Sequence, residues 1–385
     1  MTPERPVYLD YNATTPVDPA VFAAMRPYLE QEFGNPSSGH AYGQTAREAV
    51  DHARRQVSEL LGAEPDEIVF TGGGSEADNL AICGVAFARR DRGRHIVTTA
   101  VEHPAVLHTC RYLERRHGFT LTVVPVDATG RVDPAAVGRA LRDDTVLVSV
   151  MHAQNEVGTV QPVAEIAAAA RGRGVAFHTD AAQSVGKIPV RVHDLAVDLL
   201  AVAGHKVYAP KGVGALFVRG GLKLESVIHG AGHEGGRRAG TENVAGIVGL
   251  GKACALAHEH LEEERRRLQG LRDELWRRLV AAIPGLRLHG DPERRLPNTL
   301  NVGVPGVAGE DLLAAAPGIA ASTGSACHAG RTEPSGVLLA MGLAKDEALT
   351  AVRLSLGRFT TEADVRQAAD LLIAAVTELG ATHRG

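Results

Sequence analysis

Three short stretches and one isolated thiol carry residue types that do chemistry. The first is Phe70–Asn79, FTGGGSEADN, in which a β-branched run leads through three glycines to Ser75 and a helix-like segment. Glycines let backbone N–H groups approach an anion, and a helix N-terminus favours negative charge. The segment therefore reads as a phosphate cradle, with Ser75 as N-cap and Asp78, three residues on, as a capping-box partner. It has neither the GxxxxGK(S/T) nor the GxGxxG spacing, so it supports neither a P-loop nor a dinucleotide site. The second stretch, VAFHTDAAQ, puts Asp180 at the end of a predicted strand, on the side where ligands gather. A carboxylate there can pair with a protonated heterocycle nitrogen, and Gln183 can donate to a neighbouring oxygen. The third, AGHKVYAPKG, puts Lys206 between an apolar strand and a Pro/Gly turn. A lysine against apolar walls loses hydration, and its pKa falls toward what a Schiff-base amine needs. His205 beside it can reach a phosphate. The thiol is Cys327, in the small, polar, Gly- and Pro-bearing stretch STGSACHAGRTEPSG, which reads as a loop. Taken singly, the three stretches also fit a tight turn, a capping aspartate and a surface lysine.

Together they form one apparatus. A phosphate cradle, a strand-end carboxylate and a lysine are the parts that hold pyridoxal 5′-phosphate, the lysine bonding the aldehyde and Asp180 keeping the pyridine nitrogen protonated so that the ring takes up electrons.

Ten stretches, in order and over almost the whole chain, carry a family resemblance: YLDYNATTP (8–16), GNPSS (34–38), FTGGGSEADN (70–79), EHPA (102–105), QNEVG (154–158), HTDAAQ (178–183), GHKVYAPKG (204–212), RRAGTEN (237–243), TGSAC (323–327) and RLSLGRF (353–359). With them the chain resembles the NifS/IscS-like cysteine desulfurases, class-V aminotransferases of fold type I. The resemblance implies that Lys206 bonds the cofactor, Asp180 pairs with the pyridinium nitrogen and Gln183 with the ring hydroxyl. His103 would stack on the ring and shuttle protons. Ser75, His205 and the Gly74 backbone would hold the phosphate, and Thr241 would reach the phosphate of the other subunit of a homodimer. Asn155 and Arg353 would bind the substrate carboxylate, for which the forked guanidinium is suited. Cys327 would be the nucleophile that strips sulfur from L-cysteine, leaving L-alanine and a persulfide for a sulfur-acceptor protein, an iron–sulfur scaffold or a sulfurtransferase.

Three positions depart from that family's common pattern. Ala203 stands where a serine often touches the phosphate, Gly72 replaces a frequent serine, and His233 stands where glutamine is common. The missing serine, with YLDYNATTP and ACHAG, also resembles the selenocysteine lyases, which act on selenium with the same cofactor and thiol. The rather long segment from Cys327 to Ser335 is similar to the desulfurase branch that hands sulfur to scaffold proteins, and favours desulfurase. A plain aminotransferase or β-eliminating lyase would not need Cys327. A non-catalytic sulfur-pathway scaffold would not need Lys206, Asp180 and His103.

The elements that position these groups follow from patterning. Short β-branched runs at Ile68–Thr71, His95–Thr99, Leu121–Val126, Val146–Met151, Val175–Thr179, Leu199–Ala203 and Gly214–Val218 alternate with helix-like stretches such as Pro162–Arg171. Strand–helix alternation predicts an α/β fold with a mostly parallel sheet. Near residue 258 the character changes to HEHLEEERRRLQGLRDELWRRLV, which aligns Leu261, Leu268, Leu271, Leu275 and Leu279 on one helix face. Glu262/Arg266 and Glu263/Arg267 are spaced to pair at i,i+4. This helix connects a large cofactor-binding domain, residues 15–258, to a smaller α+β domain, 259–385, that carries the Cys327 loop and packs with residues 1–14.

The 385 residues are ample for a core, and the net charge of −4 offers no global basic footprint for nucleic acid. Apolar runs such as Thr145–Met151 are too short to span a bilayer, and MTPERPVYLD lacks the pattern of a signal peptide. Cysteines 83, 110, 254 and 327 are too scattered for a zinc or iron–sulfur site, and no HExxH occurs, so no metal is expected. Cys83, Cys110 and Cys254 read as buried hydrophobes, and the sparse usage fits a reducing cytoplasm.

Overall fold

The computed structural model describes residues 5–324, 327–328 and 331–382. A two-residue strand, β1 (Val7–Tyr8), opens the chain. Seven strands follow: β2 (Ile68–Thr71), β3 (His95–Thr99), β4 (Thr120–Val124), β5 (Thr145–Ser149), β6 (Ala176–Asp180), β7 (Leu199–Ala203) and β8 (Gly214–Val218). They form one sheet in the order β2-β8-β7-β6-β5-β3-β4, in which only β8 runs against its neighbours. The expected mostly parallel α/β architecture is therefore present, with three strands offset by one or two residues from the ends predicted for them. The helix expected at Pro162–Arg171 is Val163–Gly172.

Alternation along the strands sends residues to opposite faces. Phe70, Leu200, Val202 and Phe217 enter one hydrophobic cluster with Val50, Val57 and Leu61 of helix Ala41–Leu61. Val69, Leu199, Ala201 and Leu216 enter another, with Leu80 and Ile82 of helix Gly74–Ala88 and Leu113 of helix Pro104–His117. The sheet is thus covered on both faces, as parallel sheets are.

The remaining strands are β9 (Arg287–His289), β10 (Thr299–Gly303), β11 (Ile319–Ala320), β12 (Cys327–His328), β13 (Arg331–Thr332) and β14 (Ala351–Ser355). β9, β10 and β14 make a three-stranded antiparallel sheet, β12 pairs with β13, and β1 lies parallel to β11. The 39-residue helix Val244–Ala282 links the two regions. Its first half packs Ile247, Leu250 and Cys254 into the large cluster, and its second half packs Leu268, Leu271, Leu275 and Leu279 with Leu300, Leu354, Leu372 and the early residues Val7 and Leu9. The expected i,i+4 pairs on this helix do not form. Arg266 Nε donates to the Glu262 main-chain oxygen at 3.1 Å, and Arg267 donates to the main-chain oxygens of Gly357, Arg358 and Thr360. Three partly buried carbonyls offer Arg267 more than an exposed carboxylate does.

Among the described residues, no helix is long and apolar enough to cross a membrane.

Candidate active site

A cavity of about 510 Å³ opens where the carboxyl ends of β2, β6 and β7 meet. Its wall includes Gly74, Ser75, His103, Asn155, Asp180, Gln183, His205, Lys206 and Arg353, so nine of the eleven site residues expected from the sequence converge on one space. Thr241 does not line it; it lies exposed in the segment before the long helix. The Cys327 side chain lies outside the described residues. The described flanks of its segment are tied to the site: Ser322 exchanges main-chain hydrogen bonds with Arg353, and the Ser335 hydroxyl donates to Glu156 Oε2 at 2.5 Å.

The cradle forms differently from the expectation. Helix Gly74–Ala88 has Gly73 as its N-cap, at φ 151°, which a side chain would resist, so Ser75 lies inside the first turn. The carboxylate that satisfies the turn is Glu76, whose Oε2 accepts from Gly72 N at 2.9 Å while Arg238 holds it from outside. Asp78 is buried and faces the cavity instead. A Cβ on Gly214 would lie 2.7 Å from the Gly73 carbonyl carbon, so bare backbone at both positions lets the cradle rest on β8.

Asp180 ends β6 and is buried; its Oδ1 accepts from Ala182 N at 2.9 Å. Burial raises its pKa, while that hydrogen bond, His103 and Lys206 oppose the rise. Asp78 behind it is pushed well above the ordinary carboxylate range by burial, then by Asp180 and Glu102. Among the described residues, buried Asp78 Oδ1 has no hydrogen-bond partner; it lies 3.5 Å from the Nε2 of buried His178. Asp78, His103 and Asp180 each bring a polar atom within 4.8 Å of the others. Such a cluster suits a positive group between its members. Beside a lysine and a phosphate cradle, a protonated ring nitrogen meets that need as well as a metal would.

Lys206 ends the short turn Gly204–Lys206, and its Nζ donates at 2.6 Å to the main-chain oxygens of Asn12 and Ala13. Burial, then Arg353, lowers its pKa to about 8, while Asp10 and Asp180 resist. His205 accompanies it with Nδ1 3.1 Å from Thr14 Oγ1; burial and the neighbouring lysines hold its pKa down at about 4, so the ring is neutral. His103 caps helix Pro104–His117 at the cavity mouth and accepts from Ala105 N on Nδ1, which leaves Nε2 as its free nitrogen. Loss of hydration against the cavity wall lowers its pKa, with Asp180 opposing. Arg353 is fixed by Asp10 at 2.7 Å and the Asn155 main-chain oxygen at 3.2 Å, while its Nε has no hydrogen-bond partner among the described residues.

Of the departures, Ala203 packs against Gly74 and offers no hydroxyl to the cavity. His233 accepts from Gly240 N at 3.2 Å and so braces the segment that carries Thr241. Sequence reasoning missed Asn12, whose main-chain oxygen holds Lys206, and Lys211, a second cation on the wall. The lysine of the YAPKG turn was the one visible signal for Lys211. Cys83, Cys110 and Cys254 are buried as expected, and burial pushes the Cys83 and Cys254 thiols up to about 11 and 12.

Residues 7–368 match the aminotransferase class-V family. The chain belongs to that family. It is 47 % identical over 371 residues to the cysteine desulfurase IscS of Dictyoglomus turgidum, covering 96 % of this chain and 94 % of that protein. Among solved structures, a NifS-like protein superposes with a TM-score of 0.90 at 37 % identity, over 97 % of this chain and 99 % of that one. SspA in complex with cysteine superposes with a TM-score of 0.81 at 38 % identity, over 92 % and 99 %. The class-V aminotransferase fold expected from the sequence is thus present, and the cofactor is pyridoxal 5′-phosphate. The cavity fits that group: a helix-start cradle for the phosphate, the buried carboxylates Asp78 and Asp180, and a low-pKa lysine on the same wall.

Proposed function

We propose that the protein is a cysteine desulfurase that moves sulfur from L-cysteine to Cys327. The observation that carries this reading is the convergence of Lys206, Asp180 and the Gly72–Ser75 cradle on one cavity with Arg353 on its wall. Lys206 would bond the cofactor, Asp180 hold its ring nitrogen and Gln183 its hydroxyl. Gly74, Ser75 and His205 would hold the phosphate. The bound cofactor supplies an electron sink that weakens bonds at the substrate's α- and β-carbons.

The chain's own groups do the rest. Arg353, braced by Asp10, and Asn155 grip the substrate carboxylate. His103 covers the ring and exchanges protons through Nε2. The Cys327 thiolate attacks the substrate sulfur, a sulfur–sulfur bond forms as the carbon–sulfur bond breaks, and the electron pair returns to a carbon that is then protonated. Cysteine plus thiol thus become alanine plus persulfide, with no outside oxidant or reductant. An acceptor protein then takes the sulfur.

The working unit in this reading is a homodimer in which Thr241 completes the phosphate site of the other subunit. Exposed Phe22, Leu29, Phe33 and Tyr42 support a covered face. Residues 15–258 and 259–385, with 1–14 on the latter, act as large and small domains. Free buried thiols and sparse cysteine support a reducing cytoplasmic setting. The test is a product assay on the loaded protein with cysteine and with selenocysteine. Alanine and sulfide should appear from cysteine. Turnover of selenocysteine alone would make the protein a selenocysteine lyase.

A further inference from the structure

Lys187 is a buried lysine that the reaction as described does not use. It follows β6 by one short turn, and its side chain reaches back to Gln183, which lines the cavity. Its Nζ donates to the Gln183 main-chain oxygen at 3.0 Å and to Gln183 Oε1 at 3.1 Å. Among the described residues no carboxylate pairs with it; burial, then the cations Lys206 and Arg353, lowers its pKa to about 7, so near neutral pH it is only partly an ammonium. A buried ammonium without a counter-ion is costly, and a core would ordinarily use an apolar residue there.

The chemistry of the contact says what the lysine accomplishes. An amide can turn either its oxygen or its nitrogen toward a partner, and the two ends look alike. In its ammonium form Lys187 only donates, and its Nζ already donates to the Gln183 main-chain oxygen, so the end of the Gln183 amide that faces it is the oxygen. The Nε2 donor is therefore the end left for the cavity side, where it now donates to the Asn12 main-chain oxygen at 2.9 Å. That same oxygen accepts from Lys206 Nζ. Lys187, Gln183, Asn12 and Lys206 thus form one chain of hydrogen bonds, with a lysine at each end. Asp10 and Asp180 are the anions that act on Lys206.

We propose that Lys187 is a positioning residue that locks the Gln183 amide with its N–H donor toward the ring oxygen of the bound cofactor and, when protonated, places a positive charge behind it. Lys187 touches neither cofactor nor substrate; it acts through Gln183. This rests on the cofactor orientation put forward above.

A positive charge and an oriented donor both favour the anionic form of a ring oxygen and oppose proton uptake around it. Removing them raises the proton affinity of the site. The test is a spectrophotometric pH titration of the holoenzyme's visible cofactor band, in wild type, Lys187→Met, Gln183→Ala and the double variant. Lys187→Gln, which keeps a polar group of similar length, takes the place of Lys187→Met if the latter does not fold. The Lys187 variant should bind cofactor and shift the midpoint upward by about one pH unit, a tenfold change in proton affinity. The same change in the Gln183→Ala background should shift it less, which a merely structural role would not produce. An unmoved midpoint overturns the proposal, and so does a shift of full size in the Gln183→Ala background. A wild-type band that survives unchanged in Lys206→Ala would instead sink the cofactor-site reading itself.

Discussion

Lys206 meets its task through its surroundings. Burial and Arg353 bring its pKa down to about 8 from the 10.5 of a free lysine. Only the neutral amine is a nucleophile, so its reactive fraction is small at pH 6 and dominant above the lowered pKa. Cofactor capture by the stripped protein should therefore accelerate as pH rises and level off above about pH 8, as stopped-flow absorbance would record. Ala203 offers the complementary test. A serine there would add a hydroxyl beside the cradle, and a charge-assisted hydrogen bond of about 1.5–3 kcal/mol should tighten cofactor binding about tenfold or more. Equilibrium dialysis measures this. Asp180 and Lys206 were legible from sequence because each sits at the end of a recognisable apolar strand. Asn12, Lys211 and Lys187 were not, because their roles arise from contacts across long stretches of chain. Asp78 was misread for a physical reason: S-x-x-D spells a capping box, but Gly73 takes the cap and leaves the carboxylate to turn inward.

At the scale of elements, the cradle depends on how closely the Gly73 turn lies on β8. Gly214→Ala would drive a methyl to 2.6 Å from the Val202 main-chain oxygen as well as into Gly73. The backbone must shift, at about 1–3 kcal/mol, and phosphate affinity should fall with it. Thermal unfolding and cofactor titration on the same variant report both. The strands could be read in the sequence because buried parallel strands are nearly continuous β-branched runs. Their ends were misplaced by a residue or two, since apolar character continues into loops such as Val150–Met151 that still lie in the core. The long helix was read only in its second half, where charge and leucine alternate. Its first half, VAGIVGLGKACALA, is apolar but for Lys252 and so shows no polar helical face.

At the scale of the whole molecule, two hydrophobic clusters share the helix Val244–Ala282, and Arg353 on β14 carries the second region into the cavity of the first. Leu275→Ala, at a fully buried position of the second cluster, should cost about 2–5 kcal/mol. Denaturant unfolding checks that loss. The proposed dimer makes a sharper forecast. Lys206→Ala and Thr241→Ala each impair a homodimer, but a mixed dimer keeps one site with Lys206 from one chain and Thr241 from the other. Mixing the two unfolded variants and refolding them together should restore activity; no recovery would place Thr241 outside the partner's site. Only the family resemblance directs Thr241 to the other subunit's phosphate; the exposed segment that holds it, braced by His233, lies off its own cavity and carries no chemical pattern of its own.

The central claim is that a lysine-bound cofactor weakens the carbon–sulfur bond and a separate thiol takes the sulfur. The most direct measurement compares alanine formation from cysteine, alongside the visible spectrum, for wild type and Cys327→Ala. The account predicts that the variant keeps the cofactor band and loses at least about a hundredfold in alanine production. Alanine produced by Cys327→Ala at the wild-type rate would contradict it.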